Sequence, residues 1–288
     1  MKTLTAYHPL RLFRHLAVLP LLFAAWFAVL AVPANAADRD HIRAFLEVTG
    51  FDVALDSIAL SASSAPQMLG IEPDAFGSEW ARVSGEVFES KTMRGLALDI
   101  LEKTLTDDLL NHAVMFYASD LGQRLVAAEN TSHMIEDDDA KRAEGEKIVS
   151  DLVARGSQRL EVIKRMNRAI DSTGSSVRAL QEIQFRFLLA ASAAGVLDLR
   201  LDPGELRSLL KSQEGEMRRA IQKSAIANAA YTYQEFSSED LSAYADALET
   251  PQMARVYELL NAVQYEVMAN RFEVLAGRLA GMQPGQDI

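Results

Sequence analysis

The sequence predicts an all-α protein, a multi-helix array of two related helical halves with no sheet. Three observations carry that expectation. Apolar residues recur three or four apart almost throughout the chain. Runs of alternating Val, Ile, Thr and aromatic residues joined by hairpin turns are missing. Hydroxyl and carboxylate caps stand in front of one apolar run after another.

Taken from the N-terminus, the first segment reads as an export signal. Lys2, Arg11 and Arg14 precede an apolar run from Leu16 to Val32, and Ala34-Asn35-Ala36 supplies the small-x-small pattern of a cleavage site. Cleavage is expected after Ala36, leaving no membrane span and placing the chain in the periplasm. The alternative is an uncleaved anchor, since the run approaches the length of a spanning helix. Pro20 and the exit at Pro33 favour cleavage.

Beyond residue 36, apolar spacing predicts helices near 39–48, 51–65 and 75–103. Thr106-Asp107-Asp108 offers a hydroxyl cap followed by acids that suit the positive end of a helix dipole, so a short helix is expected over 107–117. Ser119 caps the next, at 120–134. Glu136-Asp137-Asp138-Asp139 reads as the solvated acidic start of a helix over 139–170 containing Ile148, Leu152 and Val153.

Asp171 to Ser176, "DSTGSS", combines turn formers with caps and serves as the hinge between a first half, 37–171, and a second half, 172–281. A helix over 176–195 follows. Asp202-Pro203-Gly204-Glu205 then places a capping carboxylate, a proline at the first helical position and an acid close behind, opening a helix over 203–233. Ser237-Ser238-Glu239 opens 238–249, and Thr250-Pro251 opens 251–280. On that last helix Met253, Val256, Tyr257, Leu260, Val263 and Val267 share one face, while Arg255, Glu258, Asn261 and Glu266 take others. Residues 282–288 read as a disordered tail.

The halves resemble each other. Glu72, Pro73, Phe76, Ser78, Trp80, Gly85 and Glu86 align with Asp202, Pro203, Leu206, Ser208, Leu210, Gly215 and Glu216. With one residue inserted, "LTDDLLNHAVMFYASDLGQRL" (Leu105 to Leu125) lies against "FSSEDLSAYADALETPQMARV" (Phe236 to Val256), so that Thr106 meets Ser237, Ser119 meets Thr250 and Arg124 meets Arg255. The order of features over this length favours an internal repeat of stacked supersecondary units over chance similarity of capped helices.

The first of those stretches resembles the signature of the domain of unknown function 2059 family of exported bacterial proteins. Phe116, Tyr117, Ser119, Gly122 and Arg124 carry the match. The chain has Asp120 where the family often has proline. The second copy has Thr250 and Pro251 but shows Ala247, Leu248 and Met253 in place of the aromatic pair and the glycine. The resemblance covers about a quarter of the chain, or about half with both copies, and implies a helical periplasmic protein of unassigned activity. The residues themselves describe a structural corner: the aromatics end one helix, Ser119 caps the next, and Gly122 lets a neighbouring helix approach.

Composition narrows the chemistry. There is no cysteine, which excludes disulfides, thiol catalysis and a cysteine lipid anchor. Without residues 1–36 the chain keeps 26 Lys and Arg against 40 Asp and Glu, a net charge of −14, unsuited to nucleic acid or anionic headgroups. His41, His112 and His133 lack the spacing of a helical zinc pair, and the acidic run lacks the turn glycine of a calcium loop. No nucleophile elbow or phosphate-binding glycine loop occurs. Ser157, after Gly156, reads as a small exposed residue within the 139–170 helix. Asn130-Thr131-Ser132 matches a glycosylation acceptor, a coincidence if the host is bacterial as the resemblance implies. The sequence therefore assigns no catalytic, cofactor-binding or metal residue.

One cluster stands out. Tyr231, Tyr233, Phe236, Tyr244, Tyr257 and Tyr265 gather around one expected corner, and their hydroxyls need partners if buried. An inter-helix seam explains them; a partner or ligand groove is the functional reading. The expected function is a non-enzymatic interaction or structural module of the cell envelope, bound to an envelope protein or to itself. The alternatives are a carrier of an apolar small molecule held near Met115, Phe116, Phe185 and Phe187, and a hydrolase using paired carboxylates such as Glu86 and Glu216.

Overall fold

The computed structural model describes residues 37–69, 77–171 and 174–279. The expected signal segment, the Glu72, Pro73 and Phe76 positions of the repeat, and the tail lie outside them. Among the described residues every regular element is helical, and no helix is long and apolar enough to cross a membrane.

Short helices come first: α1 (Arg39–Thr49), α2 (Phe51–Asp56), a 3-10 segment (Ser57–Ser64) and α3 (Ala65–Met68). They are followed by α4 (Gly77–Val87), α5 (Ser90–Thr104), α6 (Asp107–Tyr117), α7 (Asp120–His133), α8 (Asp138–Ala154) and α9 (Gln158–Ile170). The remainder is α10 (Ser175–Ala193), α11 (Pro203–Ser212), α12 (Glu214–Thr232), α13 (Ser238–Leu248) and α14 (Pro251–Leu279).

Four expected helices are subdivided, each for a local reason. The 51–65 helix tightens into 3-10 geometry after Asp56, where the Ser57 hydroxyl donates to the Ala54 carbonyl at 2.8 Å and competes with the regular ladder. The 75–103 helix breaks at Phe88 and Glu89, because Phe88 is buried edge-on against Phe272 of α14 and Glu89 is extended (ψ 124°). The 139–170 helix breaks at Gly156, whose φ of 58° lies in the left-handed region. Ser157 is therefore not within a helix but caps α9, accepting from the Arg159 amide at 3.3 Å. The 203–233 helix turns at Gln213, so that α11 buries Leu206 and Leu210 with Phe185 while α12 runs along α8.

The caps around α11 form a reciprocal box. Asp202 accepts from the Gly204 and Glu205 amides at 2.7 and 2.9 Å, and Glu205 accepts from the Asp202 amide at 2.9 Å. Asp202→Ala is expected to cost about 1 kcal/mol of local helix stability, read as faster amide hydrogen exchange in α11 with α13 and α14 unaffected. By contrast Thr106, expected to cap α6, holds the N-cap position with extended backbone but makes no side-chain cap bond.

Packing is organised by α14, which lies along α10 and also contacts α4, α5, α6, α9 and α13. Its Phe272 receives the edges of both Phe88 and Phe187, at 5.5 and 5.3 Å between ring centroids. One continuous core runs from Ile42 and Phe45 of α1 to Leu275 and Leu279 of α14. Across the molecule α8 and α12 approach so closely that a Cβ on Gly145 would stand 2.2 Å from the Ala227 carbonyl oxygen. That approach holds the part of α12 carrying Asn228 in register with α7 and α9.

Candidate functional site

Two helix corners, each a short helix followed by a capped longer one, meet at the centre of the structure. In the first, α6 ends, Ala118 adopts φ −79°, ψ −8°, and Ser119 caps α7. The Ser119 hydroxyl donates to the Phe116 carbonyl at 2.6 Å and accepts from the Gly122 amide at 3.1 Å. In the second, α13 ends, Glu249 adopts φ −78°, ψ −5°, and Thr250 stands before Pro251, the first residue of α14. The Thr250 hydroxyl donates to the Ala247 carbonyl at 2.9 Å and accepts from the Met253 amide at 3.3 Å. The same three-residue reach on either side produces the same local shape twice.

Tight geometry explains the first-copy glycine. A Cβ on Gly122 would lie 2.3 Å from the Phe116 carbonyl oxygen and 2.6 Å from the Tyr117 Cα, so only glycine lets α7 fold back onto the end of α6. The corners also bind each other. Phe116 stacks on Tyr244 with 5.6 Å between centroids, and Arg124 pairs with Asp240 at 3.0 Å while lying over Phe236. His112 Nε2 is 3.0 Å from the Thr250 hydroxyl, whose single proton goes to Ala247, so Nε2 is the donor.

Where the corners meet, four phenol groups converge on one carboxyl. Glu129 Oε1 accepts from Tyr233 at 2.7 Å and from Tyr244 at 2.9 Å. Tyr244 is in turn 3.1 Å from the Tyr117 hydroxyl and 3.0 Å from that of Tyr257, and Tyr117 and Tyr257 are bonded to each other. Five contacts are thus served by four hydroxyl protons when Glu129 is ionised. Burial holds this carboxyl above its ordinary range, opposed by the two hydroxyls that donate to it. Burial likewise raises all four phenols, so they remain protonated donors.

The cluster forms one wall of a cavity of about 330 Å³ between the α1–α2 turn and α6, α7, α8, α9, α12, α13 and α14. Gly50, in left-handed conformation at φ 71°, joins α1 to α2 and brings its backbone against the Asn130 amide. Asn130 and Asn228 line the cavity, and the Oδ1 atom of each is buried without a hydrogen-bond partner. Thr232 donates to the Ser132 hydroxyl at 2.8 Å. Lys141 reaches the same wall, pairing with Asp138 at 2.9 Å and donating to the Ser132 carbonyl at 3.3 Å. Burial, with Lys141 nearby, lowers the His133 imidazole, which favours its neutral form. Among the residues lining this cavity Glu129 is the one acid.

Tyr244→Phe is expected to cost about 1–3 kcal/mol, because Glu129, Tyr117 and Tyr257 each lose a buried partner. Thermal melts of this variant beside Phe236→Leu separate loss of the hydroxyl from loss of aromatic packing.

The expected residues are placed as follows. Tyr233, Tyr244 and Tyr257 reach the cluster, joined by Tyr117 from the family signature. Tyr265 lies apart, beside Ser176 and Asp171, with its hydroxyl pushed up to about 12, chiefly by burial. Met115 is 80% exposed, Phe185 belongs to the small α10–α11 cluster, and Phe187 is in the main core, so the four residues named for an apolar pocket are dispersed. Glu86 pairs with Arg82 at 2.8 Å on the surface of α4. Asp137 caps α8, while Asp138 and Asp139 pair with Lys141 and Arg142, which is the helix start expected of the acidic run.

Sequence reasoning passed over Glu129 and Asn228, and met Asn130 only as a glycosylation acceptor. A signal for Glu129 existed: Gly122, Leu125, Val126 and Ser132 are the buried face of α7, and Glu129 falls on that stripe. An acid on an apolar face calls for a buried partner.

No curated protein and no solved structure matches the chain. Residues 91–151, from α5 through most of α8, match the model of the bacterial family described as "Uncharacterized protein conserved in bacteria (DUF2059)", the family that the Leu105–Leu125 signature resembles.

Proposed function

We propose that this chain is an exported, non-enzymatic binding protein of the bacterial periplasm, cut after Ala36, and that its central cavity receives a small polar ligand. One observation carries the reading: two like-shaped corners meet around a cavity whose wall holds a carboxyl and converging phenols. Concave sites with a few convergent polar groups are where ligands bind. The ordered pattern shared by the two segments supports an origin by internal duplication, with the cavity arising at the joint. The basic flank, apolar run and Ala34-Asn35-Ala36 pattern support export.

Cell fractionation with intact-mass measurement tests the location. The chain should be released with the periplasm and begin at Ala37; a full-length chain retained in the membrane would favour the uncleaved anchor. A second reading, docking to an envelope protein or a second copy, would place Met115, 80% exposed on α6 beside the corner, at the contact. Light scattering and cross-linking from Met115→Cys would reveal it, and a monomer without cross-linked products would remove it.

A further inference from the structure

Glu129 stands in an unusual position. Its carboxyl is half-buried in the wall of the cavity, yet among the described residues no Lys, Arg or His lies within ion-pair distance of it, whereas Lys141 is committed to Asp138 and the Ser132 carbonyl. Buried carboxyls are ordinarily paired or neutral. Both tyrosine bonds fall on Oε1, so Oε2 is available to the cavity. Asn130 Oδ1 and Asn228 Oδ1 also lack partners, but neither atom has accessible surface to offer an occupant. An occupant matching Glu129 Oε2 must therefore donate a hydrogen bond and carry positive charge.

We infer that the cavity is a binding site for a small primary ammonium group, with Glu129 as its counter-ion. The inference rests on the reading of the cavity as a ligand site and names the ligand's chemistry. An ammonium has three donors and no acceptor, which suits a carboxylate oxygen with no other partner. A volume of about 330 Å³ takes a short diamine or an aminoalcohol. The net charge of −14 without residues 1–36 draws such cations toward the protein. Free amines and a lysine side chain presented by a peptide offer the same group, and the test separates them.

Affinity should also depend on pH, since the ammonium and a proton compete for Glu129. The titratable groups facing it are Tyr117 of α6, His133 of α7, Lys141 of α8, Tyr233 after α12, Tyr244 of α13 and Tyr257 of α14; the α1–α2 turn and α9 present uncharged residues to the cavity. The phenols, raised by burial, stay neutral. Only Glu129 and His133 change charge, and both make the site more favourable to a cation as pH rises.

The experiment is titration calorimetry on the exported protein with putrescine, its neutral isostere 1,4-butanediol and its dianionic counterpart succinate. Putrescine is expected to bind one to one, about ten-fold or more tighter than either comparator. Glu129→Gln, which keeps an acceptor for Tyr233 and Tyr244, should lose about ten-fold or more with the helical circular dichroism unchanged. The wild-type affinity should climb from pH 4.5 upward, which requires no variant at all. A lysine-bearing peptide that binds with the same dependence on Glu129 identifies a peptide ammonium as the source; putrescine alone identifies a free amine. Equal binding of putrescine and 1,4-butanediol, no binding of putrescine at millimolar concentration, or a pH slope undiminished in Glu129→Gln overturns the inference. Failure of export would appear in fractionation with amine binding intact, so the two readings fall separately.

Discussion

Gly122→Ala should lower the melting temperature by roughly 6–12 °C, corresponding to about 3 kcal/mol in a domain of this size. In an unconstrained helix the same change stabilises by up to about 1 kcal/mol, because glycine loses more backbone entropy on folding. Here the new methyl would sit 2.3 Å from the Phe116 carbonyl oxygen and 2.6 Å from the Tyr117 Cα. Both are backbone atoms, so relief requires α7 to swing away from α6, taking Glu129 away from its tyrosines. Gly145→Ala is expected to act similarly, through the Ala227 carbonyl 2.2 Å away. Gly95→Ala in α5 and Gly277→Ala in α14, where a Cβ would meet nothing within 4 Å, provide the contrast and should be neutral or stabilising. Equal melting temperatures for Gly122→Ala and Gly95→Ala would refute the close-approach account of the corner.

Glu129→Gln should make the protein more stable near neutral pH, by about 1 kcal/mol or more, while leaving it little changed in acid. The sign follows from linkage. Burial raises the folded-state pKa above the ordinary value of 4.5, so the folded state holds the proton more tightly than the unfolded chain. That contribution is fully present below about 4.5 and is lost as pH rises through the folded-state pKa, where the carboxyl must ionise within the wall of the cavity. Glutamine never ionises, and its oxygen still accepts from Tyr233 and Tyr244. Melting temperatures measured from pH 4 to 8 should therefore diverge with increasing pH. A variant less stable than the parent at neutral pH would mean that the hydroxyl bonds to the carboxylate outweigh its desolvation. Together with amine binding, the same substitution would then trade ligand affinity for stability, as is common at binding sites.

Much of the helical plan was legible from residues because its causes are local. Asp202-Pro203-Gly204-Glu205 and Ser237-Ser238-Glu239 start helices by bonding their own first-turn amides, and these bonds form with little regard to distant packing. The helices over 107–117 and 238–249 accordingly end within a residue of expectation. Breaks at Phe88 and Gln213 escaped notice, since each is set by where the flanking helices must pack, Phe88 on Phe272 and Leu206 with Leu210 on Phe185. Gly156 was visible as a residue, but its left-handed φ was not.

The site divides the same way. By itself the sequence determined an all-helical chain, its cap chemistry, its lack of cysteine and the gathering of tyrosines near one corner, because these follow from composition and from contacts a few residues apart. Only the tertiary structure decided that Tyr117 reaches Tyr244 and Tyr257 from more than a hundred residues away, that their hydroxyls close on Glu129, and that Asn130 and Asn228 share a cavity with them. The physical reason is that helix periodicity tells which side chains share a face, whereas the faces that meet are chosen by the packing of the whole core.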